Sequence, residues 1–194
     1  MDKQDSQIRS GNNGADRQRG GRRPLMSPAR FLELTSDEVA RALRYDRPLS
    51  VVLISIDKLA KQVASGDAHA AIARFDQVSA IVIDALRSHD RSGRLSKGEI
   101  GILMPETTLK HVRPVAERLR DQIVDGLSAC ALGDVHPTVS VGAAAVSPRM
   151  RNPYTFLMSA IFELRRAKSL GGSHVAVAEP DLAAVSIPRS GHIH

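Results

Sequence analysis

RSHDRSGRLSKGEIGILMP, Arg87 to Pro105, divides into a turn, a short strand, a tight loop and a second short strand. Arg91 to Leu95 and Ile100 to Met104 are the two strands, joined by Ser96, Lys97, Gly98 and Glu99, whose glycine suits a tight hairpin. What flanks this hairpin decides the fold. Upstream, Ala68 to Ser88 sets Ile72, Phe75, Val82 and Leu86 at helical spacing, with Ser79 on the same face, which predicts a long amphipathic helix packed on a sheet. Downstream, Thr107 can cap a helix in which Val112, Ala116, Leu119 and Ile123 repeat on one face, and Pro114 should delay or kink its start.

Farther out, LSVVLISI (Leu49 to Ile56) is a near-continuous apolar, β-branched run between Pro48 and the charged pair Asp57 and Lys58. It reads as a central strand buried on both faces. Ahead of it, a helix begins at Ser27 with Pro28 in its first turn and carries Phe31, Leu32, Leu34, Val39 and Leu43. A short irregular or helical piece follows the strand from Leu59 to Gly66. Thr138 to Val146 alternates as a strand, NPYTFLMSAIFELRRAKSL as a helix stopped by Gly171 and Gly172, and SHVAVAE as a final strand. This order gives an α/β fold, a mixed sheet flanked by helices. Residues 1–26 are polar and rich in Gly, Asn, Gln and Arg, and are expected to be a disordered basic tail; 27–179 form the domain, and 180–194 a flexible tail.

No apolar run reaches the roughly 18 residues of a membrane span, and the N-terminus lacks the apolar segment of a signal peptide, so a cytoplasmic location is expected. Cys130 is the single cysteine, which excludes an internal disulfide. The formal charge of +6 is compatible with an anionic partner, but 3% aromatic residues and no tryptophan argue against nucleic acid as that partner. His69, His111, His136, His174, His192 and His194 show no metal-ligand spacing.

From Ser27 to Val177 several local sequences, in the same order, resemble the GGDEF domain of diguanylate cyclases. ALRYDRPLSVVLISID is similar to its leading helix and first strand, GEIGILMPET to the second hairpin strand, AERLR to the next helix, TVSVGAA to its T-[IV]-S-[IV]-G strand, and RRAKSLGGSHVAV to the closing helix and strand. The resemblance implies a mostly antiparallel central sheet of about five strands, with a ferredoxin-like core related to nucleotidyl cyclases. It also implies an ancestral reaction that joins two GTP molecules into cyclic di-GMP, with acidic side chains holding Mg²⁺.

Laid on the family pattern, the hairpin letters G-G-[DE]-E-F become Ser96, Lys97, Gly98, Glu99 and Ile100. Gly98 stands in place of a metal-binding acid, Lys97 in place of the second glycine, and Ser55 in place of the acid two residues before Asp57. The guanine-reading positions correspond to Val63 and Ile72, which cannot hydrogen-bond a base edge. Lys168 matches a triphosphate-binding lysine, while its arginine partner's place falls on Gly172. The resemblance therefore implies a pseudo-enzyme, with no catalytic residues, cofactor, metal or Mg²⁺ expected. Asp57, Glu99 and Asp90 as a substitute metal site is weighed against paired surface carboxylates, and the second is preferred because acids alone specify no coordination geometry.

Arg87 and Asp90 match the family's inhibitory-site motif Arg-x-x-Asp, with Arg91 to Leu95 as the five residues before Ser96. An arginine fork suits the O6 and N7 acceptors of guanine, and a carboxylate suits the donors of its Watson–Crick edge. Arg118 in AERLR corresponds to an arginine that often completes this site. His89, inside the motif, is expected to be exposed. Against this stands an i, i+3 surface salt bridge between Arg87 and Asp90. The expectation is an inactive cyclic di-GMP receptor acting through an unidentified protein partner or a change in a homodimer. The alternatives are a protein-interaction scaffold without nucleotide binding, and a diguanylate cyclase.

Overall fold

The structure is a computed structural model, and it describes residues 24–129, 138–147, 150 and 152–179. The expected tails up to residue 23 and from residue 180, together with Cys130, His136, His192 and His194, lie outside the described residues.

Ten elements follow one another in the expected order: α1 (Pro28–Tyr45), β1 (Leu49–Ile56), α2 (Leu59–Ala64), α3 (Ala68–Ala85), β2 (Arg91–Arg94), β3 (Glu99–Pro105), α4 (Leu109–Ser128), β4 (Val139–Ala145), α5 (Pro153–Ser169) and β5 (Val175–Val177). The five strands form one sheet in the order β2-β3-β1-β4-β5. β1 is antiparallel to both β3 and β4, β2 is antiparallel to β3, and β5 alone runs parallel to its neighbour β4. The sheet is thus mixed and mostly antiparallel, flanked by helices. Among the described residues no helix is long and apolar enough to cross a membrane.

All eight residues of β1 are buried because both sheet faces are covered. Val52, Ile54 and Ile56 meet Phe75, Val78 and Val82 of α3 and Val112, Leu119 and Ile123 of α4 in one apolar core. Val51 and Leu53 meet Phe31 and Val39 of α1 and Phe156 and Ala160 of α5 in the other. Side chains alternate between these cores along each strand, as the pleat requires.

Several local expectations need correction. Leu32 and Leu43 point out of α1, while Thr35 and Ala42 turn inward. Thr35 tolerates burial because its hydroxyl donates to the Phe31 carbonyl at 2.7 Å. Ile72 is exposed on α3, where Ala71 and Val78 take core positions instead, and the helix ends at Ala85 rather than Ser88. Thr108, not Thr107, occupies the N-cap position of α4; Thr107 is buried, and its carbonyl accepts from Ser50 Oγ at 2.7 Å. Pro114 sits inside α4 without delaying its start, and Glu99 belongs to β3 rather than to the loop.

The fold also begins ahead of Ser27. Met26 forms a parallel bridge to Gly93 on the outer edge of β2. Phe31 then closes over this edge so tightly that a Cβ added at Gly93 or Gly101 would lie 2.6 or 2.7 Å from its atoms. Only glycine leaves room for that ring at these paired positions.

Candidate functional site

The sheet has two ends, and the expected site residues divide between them. At one end β1 finishes and the β2–β3 hairpin turns, with Ser55 opposite Glu99 in register. At the other end α3 passes through Leu86 to Asp90 into β2, whose first residue, Arg91, pairs with Leu103 near the close of β3. β2 therefore separates the Arg87–Asp90 turn from the hairpin.

At the hairpin end, Ser55, Ser96, Lys97, Gly98 and Glu99 line a cavity of about 400 Å³ with Ile56, Leu59, Val63 and Lys168. Ile100, the next of the hairpin residues, turns into the apolar core. The hairpin is pinned by Arg94, whose guanidinium lies 4.1 Å from the centre of the Phe75 ring and whose Nε donates to the Ser96 carbonyl at 3.0 Å. Gly98 does not take the left-handed conformation that would demand glycine.

Within this cavity Lys168 Nζ donates to Glu99 Oε1 at 2.9 Å. The one acid of the lining is thus paired to the lysine that the family pattern assigns to phosphate. Asp57 is committed elsewhere: its Oδ2 accepts from Thr138 Oγ1 at 2.8 Å and from the Ser173 amide at 3.1 Å, and its Oδ1 accepts from Ser140 Oγ at 2.8 Å. A side chain at Gly172 would press on that carboxylate, since an added Cβ would lie 2.8 Å from Oδ2. Asp57, Glu99 and Asp90 are not brought together, and no group of three metal-ligating side chains assembles among the described residues. The residues present do not fit Mg²⁺, which seeks carboxylate and phosphate oxygens.

At the other end, Arg87 and Asp90 clasp each other through the backbone. The Arg87 amide donates to Asp90 Oδ2 at 2.9 Å, and the Asp90 amide donates to the Arg87 carbonyl at 3.1 Å. This reciprocal pair shapes the turn from α3 into β2 and leaves both side chains with unused capacity. The Arg87 guanidinium makes no ion pair with Asp90; it is exposed and has no hydrogen-bond partner among the described residues. The surface salt bridge is therefore not formed. Asp90 has a side chain only 1% exposed, and its Oδ1 is buried without a hydrogen bond; His89 Nε2, half-exposed, stands 3.9 Å away. A buried acceptor left open costs about 1–3 kcal/mol, so Oδ1 is a place where a donor would be strongly favoured.

Arg118 lies on the exposed side of α4, between the buried Ala116 and Leu119. It contacts neither Arg87 nor Asp90 through a hydrogen bond or ion pair, and like Arg87 it has no such partner among the described residues. α4 packs against α3 on one sheet face, where Gln77 Nε2 donates to the Gly126 carbonyl at 2.9 Å. The pleat assigns Asp90 to this face too, since Ser92, two residues on, pairs with the core residue Ile102.

Sequence reasoning passed over two contributors. Arg94 reads as an ordinary strand charge, and only the packing of β2 beneath α3 sets it over Phe75. Glu99 as the partner of Lys168 joins residues 69 positions apart, a contact that no local pattern carries.

Solved structures share the fold of this chain. The GGDEF domain of DgcB from Caulobacter crescentus, solved in complex with c-di-GMP, superposes with a TM-score of 0.72 at 17% identity over 84% of this chain and 96% of that one. The active GGEEF domain of a diguanylate cyclase from Vibrio cholerae gives a TM-score of 0.72 at 16% identity over 80% of this chain and 98% of that one. In sequence, an uncharacterized protein of Mycobacterium tuberculosis is 33% identical over 141 residues, which is 70% of this chain and 22% of that protein. The chain thus spans about a fifth of the length of this relative. Residues 25–174 match the family profile described as "Diguanylate cyclase, GGDEF domain". With about three-quarters of its length matched by the family profile and its fold shared with solved members, the chain belongs to the GGDEF domain family of diguanylate cyclases.

Proposed function

We propose that this domain is a catalytically inactive receptor for cyclic di-GMP, which it binds through Arg87 and Asp90 with Arg118 as a helper from α4. The observation that carries the reading is Asp90 Oδ1, buried and without a hydrogen-bond donor among the described residues, beside an arginine whose guanidinium has no partner among them either. Guanine supplies the missing partners on both counts: its N1 and N2 hydrogens suit the carboxylate, and its O6 and N7 suit the fork. That a GGDEF domain of the same fold was solved with c-di-GMP makes this dinucleotide the first ligand to test.

Loss of synthesis is supported by the hairpin. Ser55 and Gly98 offer no carboxylate where the family pattern has acids, Glu99 is occupied by Lys168, and Val63 and Ile72 offer a base nothing to bond. Phosphoryl transfer needs charge neutralisation by metal and firm positioning of both nucleotides, and these residues supply neither. Binding without turnover makes the domain a signalling element. Its output passes to a protein partner or to an oligomeric equilibrium through whatever surface differs in affinity between the free and bound states.

Isothermal calorimetry with cyclic di-GMP tests the site. Micromolar or tighter binding is expected, abolished in Arg87→Ala and weakened in Arg118→Ala. Absence of binding to the folded protein would overturn the reading in favour of a scaffold that has kept only the fold. Incubation with GTP and Mg²⁺ should yield no cyclic di-GMP, and appreciable product would refute the reading of Ser55 and Gly98.

A further inference from the structure

We propose that His89 is a pH-sensitive latch on the Arg87–Asp90 site: its protonated ring closes on Asp90 Oδ1 and must swing aside before cyclic di-GMP can bind. The inference rests on the receptor reading above and names how that site is regulated. It starts from a conflict within the site. Asp90 Oδ1 lacks a hydrogen-bond donor among the described residues, yet the side chain is only 1% exposed, so a base edge cannot reach it from solvent unless a neighbour moves. His89 is that neighbour. Its Nε2 stands 3.9 Å from Oδ1, too far for a hydrogen bond and near enough that a small rotation of the ring would make one.

The ring can move while the turn that carries it stays fixed. The backbone is held on both sides of His89, where the Arg87 amide donates to Asp90 Oδ2 at 2.9 Å and the Asp90 amide donates to the Arg87 carbonyl at 3.1 Å. The ring itself is half-exposed and makes no hydrogen bond among the described residues. Beside it opens a cavity of about 210 Å³, which His89 lines together with Glu38 and Arg41 of α1, Arg47 ahead of β1, Arg91 of β2 and Glu106 after β3. The imidazole thus has two places to rest, against Oδ1 or in this cavity.

Charge decides between them. The groups that line the cavity with His89 are already engaged: Arg41 Nη1 lies 3.1 Å from Glu38 Oε1, Arg47 Nη1 lies 3.0 Å from Glu106 Oε1, and Arg91 Nη1 donates to the Ser88 and Asp90 carbonyls at 3.0 and 2.9 Å. Both carboxylates of the cavity therefore have a cation, whereas Asp90 Oδ1 has none. Imidazole is the one side-chain type here whose charge ordinarily changes between about pH 5 and 8. Protonation turns the contact with Oδ1 into a charge-assisted hydrogen bond and holds the latch shut, while a neutral ring makes a weaker contact that the guanine donors can displace. Affinity should therefore fall as pH drops, and by the reciprocity of linked equilibria binding should release protons.

Calorimetry on the full chain with cyclic di-GMP, at about pH 5.5 and about pH 8, tests the proposal. The unaltered protein should bind about tenfold more tightly at the higher pH, and between the two its binding heat should vary with the ionisation enthalpy of the buffer in the sense of proton release. His89→Ala removes the latch, so it should bind equally at both pH values and at least as tightly as the unaltered protein at the higher one. His89→Gln keeps a neutral donor near Oδ1 and should bind without pH dependence but more weakly than His89→Ala. Equal binding by the unaltered protein at both pH values overturns the latch, and so does tighter binding at the lower one, which would mean that the imidazolium serves the ligand phosphates. A pH dependence that survives in His89→Ala overturns it as well. In each of these cases, binding that Arg87→Ala abolishes leaves the receptor reading standing. If neither the unaltered protein nor His89→Ala binds at either pH, the receptor reading itself falls and takes the latch with it.

Discussion

Asp90 carries two jobs on its two oxygens, and substitution separates them. Oδ2 holds the Arg87 amide and so shapes the turn, while Oδ1 waits for a donor. Asp90→Asn keeps an oxygen for the amide and places an NH₂ group where the open acceptor stood. Its thermal unfolding midpoint should match or exceed that of the unaltered protein, yet cyclic di-GMP binding should be lost, because guanine donors would then face a donor. Asp90→Ala removes both roles and should lose binding with about 1–3 kcal/mol of stability, since the Arg87 amide is left unpaired. Equal destabilisation by both variants would mean that Oδ1 is no open acceptor. The motif letters alone suggested a ligand-reading pair or a salt bridge; in the structure Arg87 meets the Asp90 carboxylate through its backbone amide, and its exposed guanidinium makes no ion pair with it.

The strand pair β2 and β3 is the element on which both ends of the molecule depend. Gly93 and Gly101 face each other across it beneath Phe31. Gly101→Ala should cost about 1–3 kcal/mol in denaturant unfolding, as overpacking in a close-packed core does. Pairing it with Phe31→Leu should recover part of the loss, whereas purely additive losses would show that the ring is not the obstacle. The helix boundaries teach a related lesson. Spacing singled out Leu32, Leu43 and Ile72 as core residues because they are large and apolar, but α1 and α3 bury Thr35, Ala42 and Ala71, the smaller residues that let each helix approach its neighbours. Periodicity gives the helix; which stripe faces inward depends on what packs against it.

Across the whole molecule, Asp57 ties the end of β1 to β4 through Thr138 and Ser140 and to the turn after α5 through Ser173. It joins residues up to 116 positions apart. Asp57→Ala should destabilise the fold by about 2–4 kcal/mol, as loss of several hydrogen bonds to one carboxylate does, and should leave cyclic di-GMP affinity nearly unchanged because the Arg87–Asp90 turn is at the opposite end of the sheet. Thermal melts and calorimetry on the same variant check both parts; a large loss of affinity would show that the two ends are coupled. The central strand, the hairpin, the element order and the turn motif were all legible, because each is written in local hydrophobic periodicity, turn residues or a short motif in register.

By itself the sequence determined the α/β order, the burial of Leu49–Ile56 on both faces and the residue types available at the hairpin and the Arg87–Asp90 turn, since these follow from side-chain chemistry and its period along the chain. Tertiary structure alone decided how those residues are used. It paired Glu99 with Lys168, enclosed Asp57 in hydrogen bonds, left Asp90 Oδ1 without a donor and laid Met26 along β2. Each of these depends on groups from separate elements meeting at hydrogen-bond distance, and such meetings are set by packing, not by the neighbours a residue has in sequence.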